Sequence, residues 1–128
     1  MQLEHISPPE VRPPFGRYHQ AVAVSGAERL LFVSGQLGVR SDGTVPDAVE
    51  AQAEQAFANI EACLVAGGFA RRDVVRLTVF LTEPEYRHGY MQVRDAWVPD
   101  PPPASTLIIV KALALPVCKV EIEAVAAA

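Results

Sequence analysis

The alternation of hydrophobic and polar positions is sharpest in the last quarter of the chain, Pro103 to Ala126. Leu107-Ile108-Ile109-Val110 is a continuous aliphatic run, the pattern of a strand buried on both faces. Beyond the Leu115-Pro116 break, Cys118 to Val125 alternates. Val120, Ile122 and Ala124 share one face, and Lys119, Glu121, Glu123 and Val125 share the other. Val74 to Leu81 alternates too, with Val75, Leu77, Val79 and Leu81 set against Arg76, Thr78 and Phe80. Nearer the start, Tyr18 to Val24 and Arg29 to Gln36 read as strands. The turn signal Ser25-Gly26-Ala27-Glu28 between them predicts a β-hairpin.

Helical spacing fills the gaps. Val49, Ala53, Ala56, Phe57, Ile60 and Leu64 recur at helical intervals. Asp47 with Glu50 predicts the N-cap of that helix, and Gly67-Gly68 its stop. Thr82 with Glu85 predicts a second cap, opening a helix that runs to about Val98, before Pro99 and Pro101-Pro102-Pro103. Met1 to Gly16, with Pro8, Pro9, Pro13 and Pro14, reads as an extended arm without helix. The predicted order is ββαβαββ, an α+β domain with two helices on one face of a mixed sheet. Two helices cover one face only. Phe80 and half of the Leu107–Val110 run then point to the uncovered face, which predicts a homo-oligomer closing there.

Composition changes this picture little. At 128 residues the chain reads as one domain over 1–128, with 50% hydrophobic and 20% charged positions. A net charge of −4, with no basic cluster beyond Arg71-Arg72, argues against a nucleic-acid partner. The opening MQLEHISPPE has no basic or apolar signal region, and no apolar run approaches the roughly 20 residues of a membrane span. Cys63 and Cys118 read as reduced thiols, so the expectation is a cytoplasmic protein with no membrane partner. Neither cysteine sits in a CxxC pair, and His5, His19 and His88 show no ligand spacing. No metal and no cofactor are expected. His19 is expected on the hairpin surface.

Several segments together resemble the Rid family of reactive-intermediate deaminases, the YjgF-like proteins. Gly16-Arg17-Tyr18-His19-Gln20-Ala21-Val22 is similar to the family's GPYSQAV opening, and Val33-Ser34-Gly35-Gln36 to its VSGQ strand. The first helix, with Gln52, Asn59-Ile60 and Ala66-Gly67-Gly68, resembles the family's QxxxxxxNI…AGG helix. Asp73-Val74-Val75 into Thr78-Val79-Phe80-Leu81 resembles DVVKxTVFL, and Val120 to Ala126 resembles VEIEAIA. The resemblance implies a chorismate-mutase-like fold with a six-stranded sheet. It also implies a homotrimer around a central barrel, with a small-molecule cleft at each subunit interface. In the deaminase members, water hydrolyses an enamine or imine to a keto acid and ammonia. An arginine grips the substrate carboxylate, and a glutamate of the EIEA strand holds the water.

This chain departs from that pattern at the arginine. Where the family's PARS motif places it, the chain reads Pro103-Ala104-Ser105-Thr106, and a hydroxyl cannot supply a charged fork. The second helix departs as well, with Tyr90, Met91 and Val93 where the family tends to an asparagine followed by an aromatic. The resemblance assigns the catalytic role to Glu121, whose bland alternative is an interface salt bridge with Arg76 or Lys111 of a neighbour. Tyr18, Ser34, Gly35, Ser105 and Thr106 are the candidate substrate-binding residues. Arg17 is the one arginine near the presumed cleft and so the candidate to replace the missing grip, its bland alternative being a solvated residue of the arm. The leading expectation is a hydrolase of a small enamine or imine with an altered substrate range, such as a larger amino-substituted unsaturated acid. The alternative is a small-molecule-binding trimer without turnover. The ribonuclease label carried by the family finds no basic, aromatic stripe here.

Overall fold

The computed structural model describes residues 1–128. Its strands are β1 (Gln2–Ile6), β2 (Ala21–Ser25), β3 (Leu30–Leu37), β4 (Val74–Leu81), β5 (Ala104–Ile109) and β6 (Val120–Ala127). Its helices are α1 (Val49–Gly67) and α2 (Arg87–Trp97). Two helices on a mixed sheet is the arrangement the periodicity predicts. The order gains one strand, because the arm expected over 1–16 opens with β1.

The strand partners differ from expectation in one place. β2 does not form a hairpin with β3; it pairs antiparallel with β1, from Gln2 opposite Ser25 to Ile6 opposite Ala21. β3 instead takes β6, and the sheet runs β3-β6-β4-β5, with β4 and β5 parallel. The six strands are therefore a four-stranded sheet and a two-stranded ribbon, joined by a single bridge between His19 and Ala104. The backbone accounts for the hairpin's failure. Glu28 and Arg29 donate their N–H groups to Ala128 O, and Arg29 O accepts from Ala128 N, so the chain entering β3 is already committed to β6. His19 leaves the expected hairpin surface because it is fastened to the chain entering β5. Its N–H donates to Pro103 O at 3.1 Å and its Nδ1 to Pro102 O at 2.7 Å.

The helix-side face of the sheet supplies the core. Leu77, Val79, Leu81, Val120, Ile122, Ala124 and Ala126 pack there against Ala53, Phe57, Ile60 and Leu64 of α1. A register shift between Val74 and Arg76 turns Val74 inward and leaves Val75 half-buried, reversing the expectation at Val75. Phe57 stacks on Trp97 at 4.7 Å between ring centroids and on Tyr90 at 6.2 Å, joining the helices.

Both predicted helix caps are corrected. α1 begins at Val49 with Ala48 as its N-cap, and α2 begins at Arg87 after a 3-10 turn over Pro84–Tyr86; neither N-cap makes a side-chain hydrogen bond. Asp47 lies outside the helix, its carbonyl accepting from Lys119 Nζ at 2.7 Å. Thr82 donates its N–H to Lys119 O, which holds it in line with the sheet. The stop of α1 is as expected, with Gly68 in the left-handed conformation at φ 80°.

The opposite face has no helix over it. Leu30 and Phe32 are 58% and 71% exposed, and Phe80, Ile108 and Val125 share that face. The Leu107–Val110 run is therefore not buried on both faces within one chain. It belongs to a parallel edge strand whose Ile108 and Ile109 stay exposed.

Candidate functional site

Alternation in β4, β5 and β6 divides the candidate residues between the two faces of the sheet. Ser105 lies opposite Leu77 and Leu107 opposite Val79, so both point to the helix side. Thr106 lies opposite Thr78 and Ile108 opposite Phe80, on the open side. Glu121 lies opposite Phe80 and Glu123 opposite Thr78, so both carboxylates are on the open side as well. Within a single chain, Ser105 and Glu121 are separated by the thickness of the sheet.

On the helix side, a cavity of about 220 Å³ opens between α2 and the β5 edge, with Tyr18, Val79, Tyr90, Met91, Arg94 and Ser105 among its lining residues. Tyr18 reaches it because the His19 bridge fastens the chain to the start of β5. Its hydroxyl accepts from Phe15 N at 3.2 Å. Arg17 does not line the cavity; its Nη1 donates to Asp95 O at 2.5 Å and fastens the arm to α2.

Arg94 lines the cavity instead. It is 1% exposed, and its Nη1 donates to Asp95 Oδ1 at 3.1 Å. Its Nη2 is buried without a partner, as is the hydroxyl of the fully buried Tyr90. Burial pushes the Tyr90 phenol well above its ordinary value, opposed by the Arg94 charge and aided by Asp95, so it stays a hydroxyl donor. A buried donor left unsatisfied costs about 1–3 kcal/mol, more when charged. Sequence reasoning overlooked Arg94. The signal was there: Tyr90, Arg94 and Trp97 fall at i, i+4 and i+7, which sets an arginine into the buried stripe of α2.

On the open side, Ser34 lines a second cavity of about 280 Å³ with Phe32, Arg76, Thr78 and Glu123. Thr106 Oγ1 accepts from Arg76 Nη2 at 2.8 Å. Glu121 lies directly against the backbone of Gly35, so closely that a methyl group there would overlap its Oε1. The structure thus groups Ser34, Gly35, Glu121 and Thr106 on one face, and Tyr18 with Ser105 on the other. Cys118, buried just ahead of β6, has its thiol pushed up by burial and then by the Glu121 charge.

A mixed sheet bearing two helices on one face, with a cavity beside α2, defines the chorismate-mutase-like class of α+β proteins. Within that class, the sequence model of the Endoribonuclease L-PSP family matches residues 9–128, and the chain belongs to that family, the Rid or YjgF-like proteins. A RutC family protein of Aquifex aeolicus is 32% identical over 127 residues, which are 97% of this chain and 98% of that one. The chloroplastic Reactive Intermediate Deaminase A of Arabidopsis thaliana is 32% identical over 98% of this chain and 66% of its own. Among solved structures, the Rid-family protein YyfB of Yersinia pestis, of unknown function, has a TM-score of 0.87 at 31% identity, with both chains fully covered. No helix of this chain is long and apolar enough to cross a membrane.

Proposed function

We propose that this chain is a cofactor-free hydrolase of a small enamine or imine carrying a carboxylate, working as a homotrimer with its cleft between subunits. The observation that carries this reading is the seating of Glu121 against Gly35, where its carboxylate fills the space of the missing methyl. Because Ser105 and Glu121 lie on opposite faces of one sheet, the cleft is complete only where the Tyr18–Ser105 cavity meets the partner subunit's Glu121. Water adds to the carbon of the C=N bond while Glu121 takes its proton. That proton passes to nitrogen, giving a carbinolamine; its hydroxyl then gives up its own proton, which the amine takes as the C–N bond breaks, and ketone and ammonia leave. The enamine form first takes a proton at carbon and gives one up from nitrogen to become the imine. The deaminase name of the Arabidopsis relative supports this class of reaction. Ser105 supports a substrate other than a simple 2-imino acid, such as a larger amino-substituted unsaturated acid. The free thiols Cys63 and Cys118 suit a reducing, cytoplasmic setting.

The test is ammonia release from 2-aminoacrylate, generated in situ by a pyridoxal-phosphate lyase, and from longer 2-amino unsaturated acids. The wild type is expected to accelerate release from the longer acids over buffer. Glu121→Gln should lose about a hundredfold or more while keeping the wild-type thermal melt. Absence of acceleration across the whole series would retire the hydrolase reading. The arginine's replacement by Ser105 then favours the second reading, a binding trimer without turnover.

A further inference from the structure

Just beneath the wall of the cavity beside α2 lie two hydrogen-bonding groups without partners, one of them positively charged. Tyr90 and Arg94 stand one helical turn apart on the same face of α2. Tyr90 is 0% exposed and Arg94 1%, yet the Tyr90 hydroxyl and Arg94 Nη2 both lack a hydrogen-bond partner. Asp95 takes Nη1 alone, and its own side chain is 41% exposed, so the ion pair leaves the guanidinium half used. The cavity lining holds two arginines, Arg87 and Arg94, and no acid. Ser105 and Tyr18 bring further hydroxyls to it, while Val79, Met91 and Leu107 form apolar wall. Native structures fill such buried donors with a group that accepts.

We propose that Arg94 and Tyr90 form the subsite for the ligand's carboxylate, with Arg94 Nη2 and the Tyr90 hydroxyl as its donors and the apolar wall receiving the adjoining carbon chain. The charged grip then comes from α2 rather than from β5, across the cavity from Ser105. The grip being displaced from β5, the ligand must extend further to reach the reacting centre, which selects acids longer than the simplest imino acid. This deepens the hydrolase reading by naming what holds the carboxylate. Its test reads binding rather than turnover, so either can fail alone.

The experiment is calorimetric titration of the intact oligomer with 2-oxopentanoate, its methyl ester and inorganic phosphate. The wild type should bind the acid at least tenfold more tightly than the ester or phosphate. Arg94→Met should weaken the acid at least thirtyfold and leave the ester unchanged, and Tyr90→Phe should weaken it several-fold. Adding Ser105→Arg to Arg94→Met should restore acid binding, because it returns a guanidinium to the same cavity. Equal binding of acid and ester by the wild type, equal binding of phosphate, or no binding of the acid, would overturn the proposal. So would a folded Arg94→Met that binds the acid like the wild type. Should Arg94→Met fail to fold, the near-isosteric Tyr90→Phe decides, and undiminished acid binding there overturns the proposal.

Discussion

Glu121 and Gly35 show how a single position can serve chemistry through space alone. Gly35 is not in the left-handed region; only Gly26, Gly43 and Gly68 have positive φ. Its lack of a side chain matters because the Glu121 carboxylate occupies the place of the missing methyl. Gly35→Ala is therefore expected to fold normally, since the atom in the way is the mobile end of a glutamate. It should cost about a hundredfold in the proposed ammonia-releasing activity by displacing the carboxylate. Turnover, measured beside the thermal melt, checks this; full activity would detach Gly35 from the site. Glu121 and Tyr18 were legible as candidates from their residue types and the motifs around them. Arg94 was legible only as a position in the Tyr90–Trp97 stripe of α2, because an arginine reads as solvated until its burial is known.

At the scale of elements, the motif residues of α1 turn out to be ties between segments. Gln52 is fully buried and its amide is satisfied. Nε2 donates to Pro46 O at 2.9 Å and to Val117 O at 3.1 Å, and Oε1 accepts from Lys119 N at 2.7 Å. Asn59 Nδ2 likewise donates to Leu37 O and Val39 O, fixing the end of β3 to the helix. Gln52→Leu fits the volume but leaves two carbonyls and one N–H without partners. It is expected to cost about 2–4 kcal/mol, read as a lowered midpoint in urea denaturation. An unchanged midpoint would mean that water replaces the amide. The predicted caps failed at this same scale. A capping box is a local signal, whereas Asp47 and Thr82 are both engaged with the residue entering β6, Lys119, through backbone groups.

At the scale of the whole molecule, the open sheet face sets the expectation for assembly. Phe32 at 71% exposure, with Leu30, Phe80 and Ile108 on the same side, is a large apolar area to leave in water. Sedimentation equilibrium is expected to give a species of three chains, where one chain is 13.8 kDa. Phe32→Asp should shift it toward the single chain by placing a charge in the closed interface. A wild-type monomer would leave the proposed inter-subunit cleft without its second wall. Sequence alone determined the kind and order of nearly every element, because periods of two and 3.6 are written in neighbouring residues. It also marked the two faces of β6, and hence the side that carries Glu121. Tertiary structure alone decided that β2 pairs with β1, that β3 pairs with β6, and that Ser105 and Glu121 face opposite ways. It alone set the Arg94 guanidinium in a cavity without a full set of partners. Each of these depends on contacts between segments far apart in the chain, where local pattern carries no information about which surfaces meet.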